Sequence, residues 1–477
     1  MEDPRHLPNF PYRNAQSKNR VPHLEPKRSI RINNMGASGQ TNLLWAAFGV
    51  PTSKTVSTSF ISRMYSAQLP HHSITPELLG VALEKELAPT LVPADDDFID
   101  LMFPHSRSPI TEPDNDVVLS LSQTIGQRPA LWDDKSHVLT LPAFTEKGIA
   151  AWLNHIGEYL EQLVGHKPLR RWSHRNCDTP PVGACIKRKP DVILLDDELH
   201  TELEKNPSKP TDWCFIRSFA EVTKSPDPSR RLIDTVNAKT YLSFLCQPNR
   251  RFAIALSFTG GPSFTLKITD REGQIWWSTA INSGRNKKHV GMFLRILAFL
   301  MFGTLSDIGL DPNVHIDRNG NCTGITVGDK LFAVEKIIYK LESVVGRGTQ
   351  VWIVSHDGAT YTLKDCWIQD RRVDSEVSML EKISTADKLK NRVPGFFCGG
   401  DVEIDGEVDC TGQYREELTG PLRSLTRRTH RRLVCTPIGE SLISFRSKKE
   451  FINIMKSIIT SALFIIIDKH CEAHLSF

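Results

Sequence analysis

Residues 346–364 read GRGTQVWIVSHDGATYTLK, and their interpretation decides how the second half of the chain is understood. Gly346 and Gly348 can bring backbone N–H groups close to an anion with no Cβ in the way. Val351-Trp352-Ile353-Val354 is β-prone, His356-Asp357-Gly358 supplies a turn, and Thr360-Tyr361-Thr362-Leu363 returns as a second strand that closes on Lys364. Two glycines alone would read as ordinary turn formers, and a strand-end lysine as a solvated one. Glycine pair, hairpin and terminal lysine in that order predict a β-hairpin preceded by a glycine pair able to approach an anion and ended by a lysine.

Around this hairpin the chain has the composition of a folded protein. Its 477 residues can bury more than one core, so several domains are expected. A hydrophobic content of 40% with 24% charged residues excludes a wholly disordered chain. The net charge of +4 gives no overall pull toward a polyanion. Ten scattered cysteines without a C-x-x-C pair argue against a zinc site and a disulfide framework, and for reduced thiols inside a cell. The first twenty residues, MEDPRHLPNFPYRNAQSKNR, lack an apolar segment, so no secretory signal is expected and the localisation is read as intracellular. The apolar runs at 290–302 and 458–467 are too short to span a bilayer and read as buried helices, so no membrane partner is expected.

Residues 1–115 show no sustained periodicity and are expected to be a mostly irregular extension, with one helix near 76–87. From Ile149 the apolar positions Trp152, Ile156, Leu160 and Leu163 recur at helical spacing. Strands are expected at 192–195, 214–222, 251–258, 263–269 and 275–280, with helices at 232–246 and 290–302. Strands interrupted by helices predict a mixed α/β domain over 135–320, followed by a second unit over 331–477; the fold class is α+β or α/β.

Eight separated strings resemble one group, the fungal-type protein kinases: RKPDVILLD (188–196), FAEVTKS (219–225), CQPNRRFAIALSFTG (246–260), FTLKITDREGQIWWS (264–278), LDPNVHID (310–317), VVGRGTQVW (344–352), YTLKDCW (361–367) and RRLVCTPIGESLISF (431–445). They fall in the family's order over roughly 140 to 465. Against the kinase pattern G-x-G-x-x-G-x-V, the third glycine is Val351 and the final valine is Ile353.

The resemblance implies a partial protein kinase-like fold, a β-rich small lobe and the start of a helical lobe, with ATP and magnesium as cofactors. Gly346, Gly348 and Ile353 would cover ATP, Lys364 would hold its phosphates, and Glu376 would be the helix acid that pairs with the lysine. Residues 433–439 would form the last small-lobe strand and the hinge. The family's H-R-D and D-F-G loops have no counterpart in residues 463–477, LFIIIDKHCEAHLSF. The reading is therefore a C-terminally truncated, pseudokinase-like protein with no catalytic residue or metal ligand to assign, and with weak or absent ATP binding.

A second constellation is Pro190-Asp191 followed by Glu221 and Lys224, which resembles the P-D…(D/E)-x-K signature of metal-dependent nucleases. Glu221 and Lys224 are three apart, so strand alternation places Thr223 where the lysine belongs. The alternative function is thus a non-catalytic scaffold whose α/β domain is a degenerate, restriction-endonuclease-like fold recognising a protein or nucleic acid partner. The arginine-rich run 423–432, RSLTRRTHRR, lacks interleaved aromatics and reads as a solvated loop. A protein partner or substrate of unknown identity is expected, rather than nucleic acid.

Overall fold

The computed structural model describes residues 76–460, with breaks at 126–131, 134–137, 140–141, 143, 226–229, 261–262, 282–286, 370–375, 385–393, 416–426 and 440–443. In chain order the first half runs α1 (Pro76–Leu87), β1 (Leu91–Pro93), α2 (Asp97–Met102), α3 (Asp114–Ile125), a small hairpin of β2 (Trp132–Asp133) and β3 (Val138–Leu139), α4 (Glu146–Val164), β4 (Arg170–Ser173), β5 (Val192–Asp196), α5 (Asp197–Lys205), β6 (Ser218–Thr223), α6 (Arg230–Cys246), β7 (Ala253–Thr259), β8 (Ser263–Thr269), β9 (Gln274–Ala280) and α7 (Lys287–Phe302).

Helix α4 forms where the spacing predicts it. Ile149, Trp152, Ile156 and Leu160 are buried on one face, and the Thr145 hydroxyl caps the start by accepting the Gly148 N–H at 3.0 Å. The strands order as β1-β9-β8-β7-β6-β5-β4. Both faces are covered, and the alternation shows it: Val192 and Leu194 enter one core with α2, α3, α4 and α7, while Ile193 and Leu195 enter a second with α1, α5 and α6. The result is a sheet between two helical layers. Helix α7 is buried along its length from Val290 to Phe302, and its single interior charge, Arg295, is held by Asp100 at 2.6 Å and Asp114 at 3.3 Å. Among the described residues no helix is long and apolar enough to cross a membrane.

Two expectations need correction. Residues 1–75 lie outside the described residues, but much of 76–115, expected to be irregular apart from one helix, is built into the first sheet and its helical layers. Strand β1 pairs parallel with β9, and Phe98, Ile99, Phe103 and Ile110 are core residues. Their partners lie on β9 and α7, far along the chain, so no local periodicity reports them. The strand expected at 214–222 begins only at Ser218, because Asp212 accepts the Cys214 N–H at 2.9 Å and folds 213–215 into a 3-10 turn.

The second half continues with β10 (Val314–Ile316), β11 (Cys322–Val327), β12 (Lys330–Lys340), β13 (Gln350–His356), β14 (Ala359–Gln369), α8 (Glu376–Ser384), β15 (Gly395–Asp401), a two-stranded β16 (Glu403–Ile404) and β17 (Glu407–Val408), and β18 (Arg428–Thr436). The antiparallel order is β10-β11-β12-β13-β14-β18-β15, and Ile325, Phe332, Trp352, Val354, Leu363 and Val434 form its core. The hairpin read from the sequence is β13–β14, closed at His356↔Ala359. A further helical stretch follows at 448–460.

Candidate functional site

Strand β14 lies between β13 and β18, with Lys364 opposite Val351 on one side and Leu433 on the other. Alternation sends Trp352, Leu363 and Val434 into the core. Val351, Ile353, Thr362, Lys364, Leu433 and Cys435 therefore share the opposite face. Ile353, Thr362, Leu433 and Cys435 are buried there. Helix α8 starts at Glu376, and Lys364 Nζ donates to its Oε1 at 2.5 Å and its Oε2 at 2.7 Å. The two side chains are 11% and 12% exposed, so each charge has lost most of its water and depends on the other.

The loop 341–349 joins β12 to β13 and is fastened from outside by the α/β domain. The Gly346 N–H donates to the Arg271 carbonyl at 2.8 Å, and the Val345 N–H donates to Glu86 Oε1 at 2.7 Å. Arg271 lies in the turn between β8 and β9. Its Nη1 donates to the Ser343 and Val344 carbonyls at 2.9 and 3.1 Å, and its guanidinium lies 4.5 Å from the Phe244 ring centroid. Burial pushes the Arg271 pKa down to about 10. Gly346 and Gly348 adopt φ of 111° and 48°, a region that favours glycine, and a Cβ at Gly348 would run into the Arg271 guanidinium.

Between the two glycines, Arg347 turns the other way. Its carbonyl accepts the Trp367 N–H at 2.7 Å, its Nη2 lies 3.7 Å from Glu376 Oε2, and its buried Nε has no partner among the described residues. The structure thus joins Lys364 to Glu376, puts Ile353 on the same sheet face, and sets Gly346 and Gly348 in the adjoining loop. Arg347 was missed, although G-R-G places a cation in the glycine pair itself.

In the α/β domain Asp191 leads into β5 and its Oδ2 accepts the Val222 N–H at 2.8 Å, beside Glu221. The lysine, however, is not Lys224, which is exposed. Lys239 comes across from α6 and forms an ion pair with Glu221, both side chains nearly inaccessible. Burial, and after it the nearby Asp191 carboxylate, act against Lys239 and push the Glu221 pKa up to about 7. Sequence spacing could not find a lysine delivered by a packed helix rather than by the same strand.

The arginine run is likewise corrected from residue 428 onward: it is strand β18, not a solvated loop, and 423–426 lie outside the described residues. His430 bonds Asp409 at 2.9 Å and Asp365 at 2.5 Å, Arg432 bonds Asp365 at 2.9 Å and also Asp311, and Arg251 of the α/β domain bonds Asp409 at 2.5 Å. Asp311, Asp365 and His430 converge closely enough to ligate a metal. Arg432 already occupies both aspartates, and three carboxylates face three cations, so this is a buried ion-pair network joining the two sheets.

A family model described as fungal protein kinase matches residues 189–468, more than half of the chain and a span that takes in parts of both sheets. No curated protein and no solved structure matches.

Proposed function

The chain belongs to the fungal protein kinase family, and on that footing we propose that the sheet of β12–β15 and β18 is a nucleotide-binding small lobe whose Lys364 holds the phosphates of ATP. The observation that carries this reading is the doubly bonded Lys364–Glu376 pair. Phosphoryl transfer relies on such a pair to hold the lysine toward the phosphates. ATP, when bound, supplies the transferable phosphoryl group. Lys364 contributes a positioned ammonium and Glu376 holds it, while Ile353, Thr362 and Cys435 pack behind them on the same strand face. The donor set suits phosphate oxygens but not magnesium, because the Glu376 carboxylate is already engaged by Lys364 and faced by Arg347.

Residues 1–477 contain no His-Arg-Asp and no Asp-Phe-Gly string. Lys364 and Glu376 fill two of the roles of phosphoryl transfer, and no described residue fills those of the carboxylate beside the attacking hydroxyl or of the metal-holding pair, which supports reading this span as one that binds nucleotide without transferring phosphate. The α/β domain acts as a scaffold that carries the glycine-containing loop on Arg271 and Glu86. Incubating the purified chain with γ-labelled ATP, magnesium and a generic protein substrate tests the reading. Label should stay in the nucleotide, while equilibrium dialysis against ATP shows retention. Label transferred to protein, and lost in Lys364→Ala, would contradict it.

A further inference from the structure

Lys364, Arg347 and Glu376 form a partly buried group of two cations and one anion, so one positive charge is left uncompensated among them. Exposed charges can leave such an imbalance to water, but here the exposures are 11%, 26% and 12%, and solvent does so only in part. The Arg347 Nε is buried and has no acceptor among the described residues. The backbone around it is fixed, because the Arg347 carbonyl is held by the Trp367 N–H and the neighbouring Gly346 N–H by the Arg271 carbonyl. Its side chain is therefore delivered to the Lys364–Glu376 pair by a loop anchored on both sides.

We propose that Arg347 is a second phosphate-binding cation, which makes this site selective for nucleoside di- and triphosphates over monophosphates and able to hold them without a divalent ion. The inference rests on the reading of the small lobe as a nucleotide site. Arg347 supplies the net positive charge that Lys364, paired with Glu376, does not, and a guanidinium donates in a fork that matches phosphate oxygens. A monophosphate, a dianion on a single group, gains less from two cations than the more highly charged di- and triphosphates.

Calorimetric titration of the full chain in EDTA with ATP, ADP, AMP and adenosine tests this. The wild type should bind ATP and ADP more tightly than AMP and adenosine. Arg347→Ala should lose about tenfold in ATP affinity, the scale of one charge-assisted contact, with adenosine affinity unchanged. Arg347→Lys, which keeps a cation and guards against a folding defect, should recover part of the loss. ATP binding that survives Arg347→Ala in full but falls in Lys364→Ala overturns the role of Arg347 and leaves the nucleotide site standing. No binding of any nucleotide by the folded wild type overturns both.

Discussion

Gly348 lies against the guanidinium of Arg271, close enough that no side chain fits between them. A glycine that a sequence reading assigns to phosphate approach is thus also the place where one sheet rests on the other. The two uses are compatible, since the loop is anchored through one side and presents Arg347 on the other.

Gly348→Ala should destabilise the fold by about 2 kcal/mol, because alanine pays a strain cost at a φ of 48° and meets a guanidinium that cannot move aside. Arg271 is held by two carbonyls and the Phe244 ring. Chemical denaturation gives the test, and an unchanged midpoint would mean that the loop is not seated on Arg271.

The His430 network should make stability fall as pH rises. Burial alone would lower the His430 pKa, but Asp365 and Asp409 outweigh it and raise it to about 9. A pKa raised above the unfolded value stabilises fully below about 6.5, and this contribution is lost as pH climbs through about 9; the difference is on the order of 3 kcal/mol. Asp365 has the opposite sign. Burial would raise it, His430 and Arg432 bring it down to about 2, and its contribution is fully present above about 4 and lost as pH falls through about 2. Urea titrations at pH 6 and pH 9 should differ in the wild type and much less in His430→Gln. An equal change in stability between pH 6 and pH 9 in the two proteins would show that His430 does not carry the effect.

Lys239→Met should cost roughly 3–5 kcal/mol, because it leaves Glu221 buried without its counter-charge. Adding Glu221→Gln should restore much of the loss. Additive losses in the double variant would rule out the pairing.

Purified protein with magnesium or manganese should not cut DNA or RNA. Glu221 is committed to Lys239, and Lys224 stands exposed just past the end of β6. Gel assays check this, and cleavage that disappears in Asp191→Ala would promote the α/β domain to a nuclease.

How much of this could be read in advance depended on where each residue's partners lie. Helix α4 was legible because Ile149, Trp152, Ile156 and Leu160 declare one face within a few turns, whereas the pairing of Lys364 with Glu376 was implied by the family resemblance and not by local spacing. Arg295, Phe98 and Val117 were not legible as one core, since what unites them is the packing of α2 and α3 on a helix far along the chain. Lys239 was hidden for a related reason: it reaches Glu221 across the layer between α6 and β6. His430 and Arg432 looked like part of a solvated basic run because their aspartates, 311, 365 and 409, come from three different places in the sequence.

The central claim is that Lys364, set by Glu376, holds nucleotide phosphate. Equilibrium dialysis of labelled ATP against the full-length wild type and Lys364→Ala tests it most directly. The account predicts saturable retention by the wild type that falls by about tenfold or more in the variant, as expected for loss of a charge-assisted phosphate contact. Equal retention by the two folded proteins, or none by either, would contradict it.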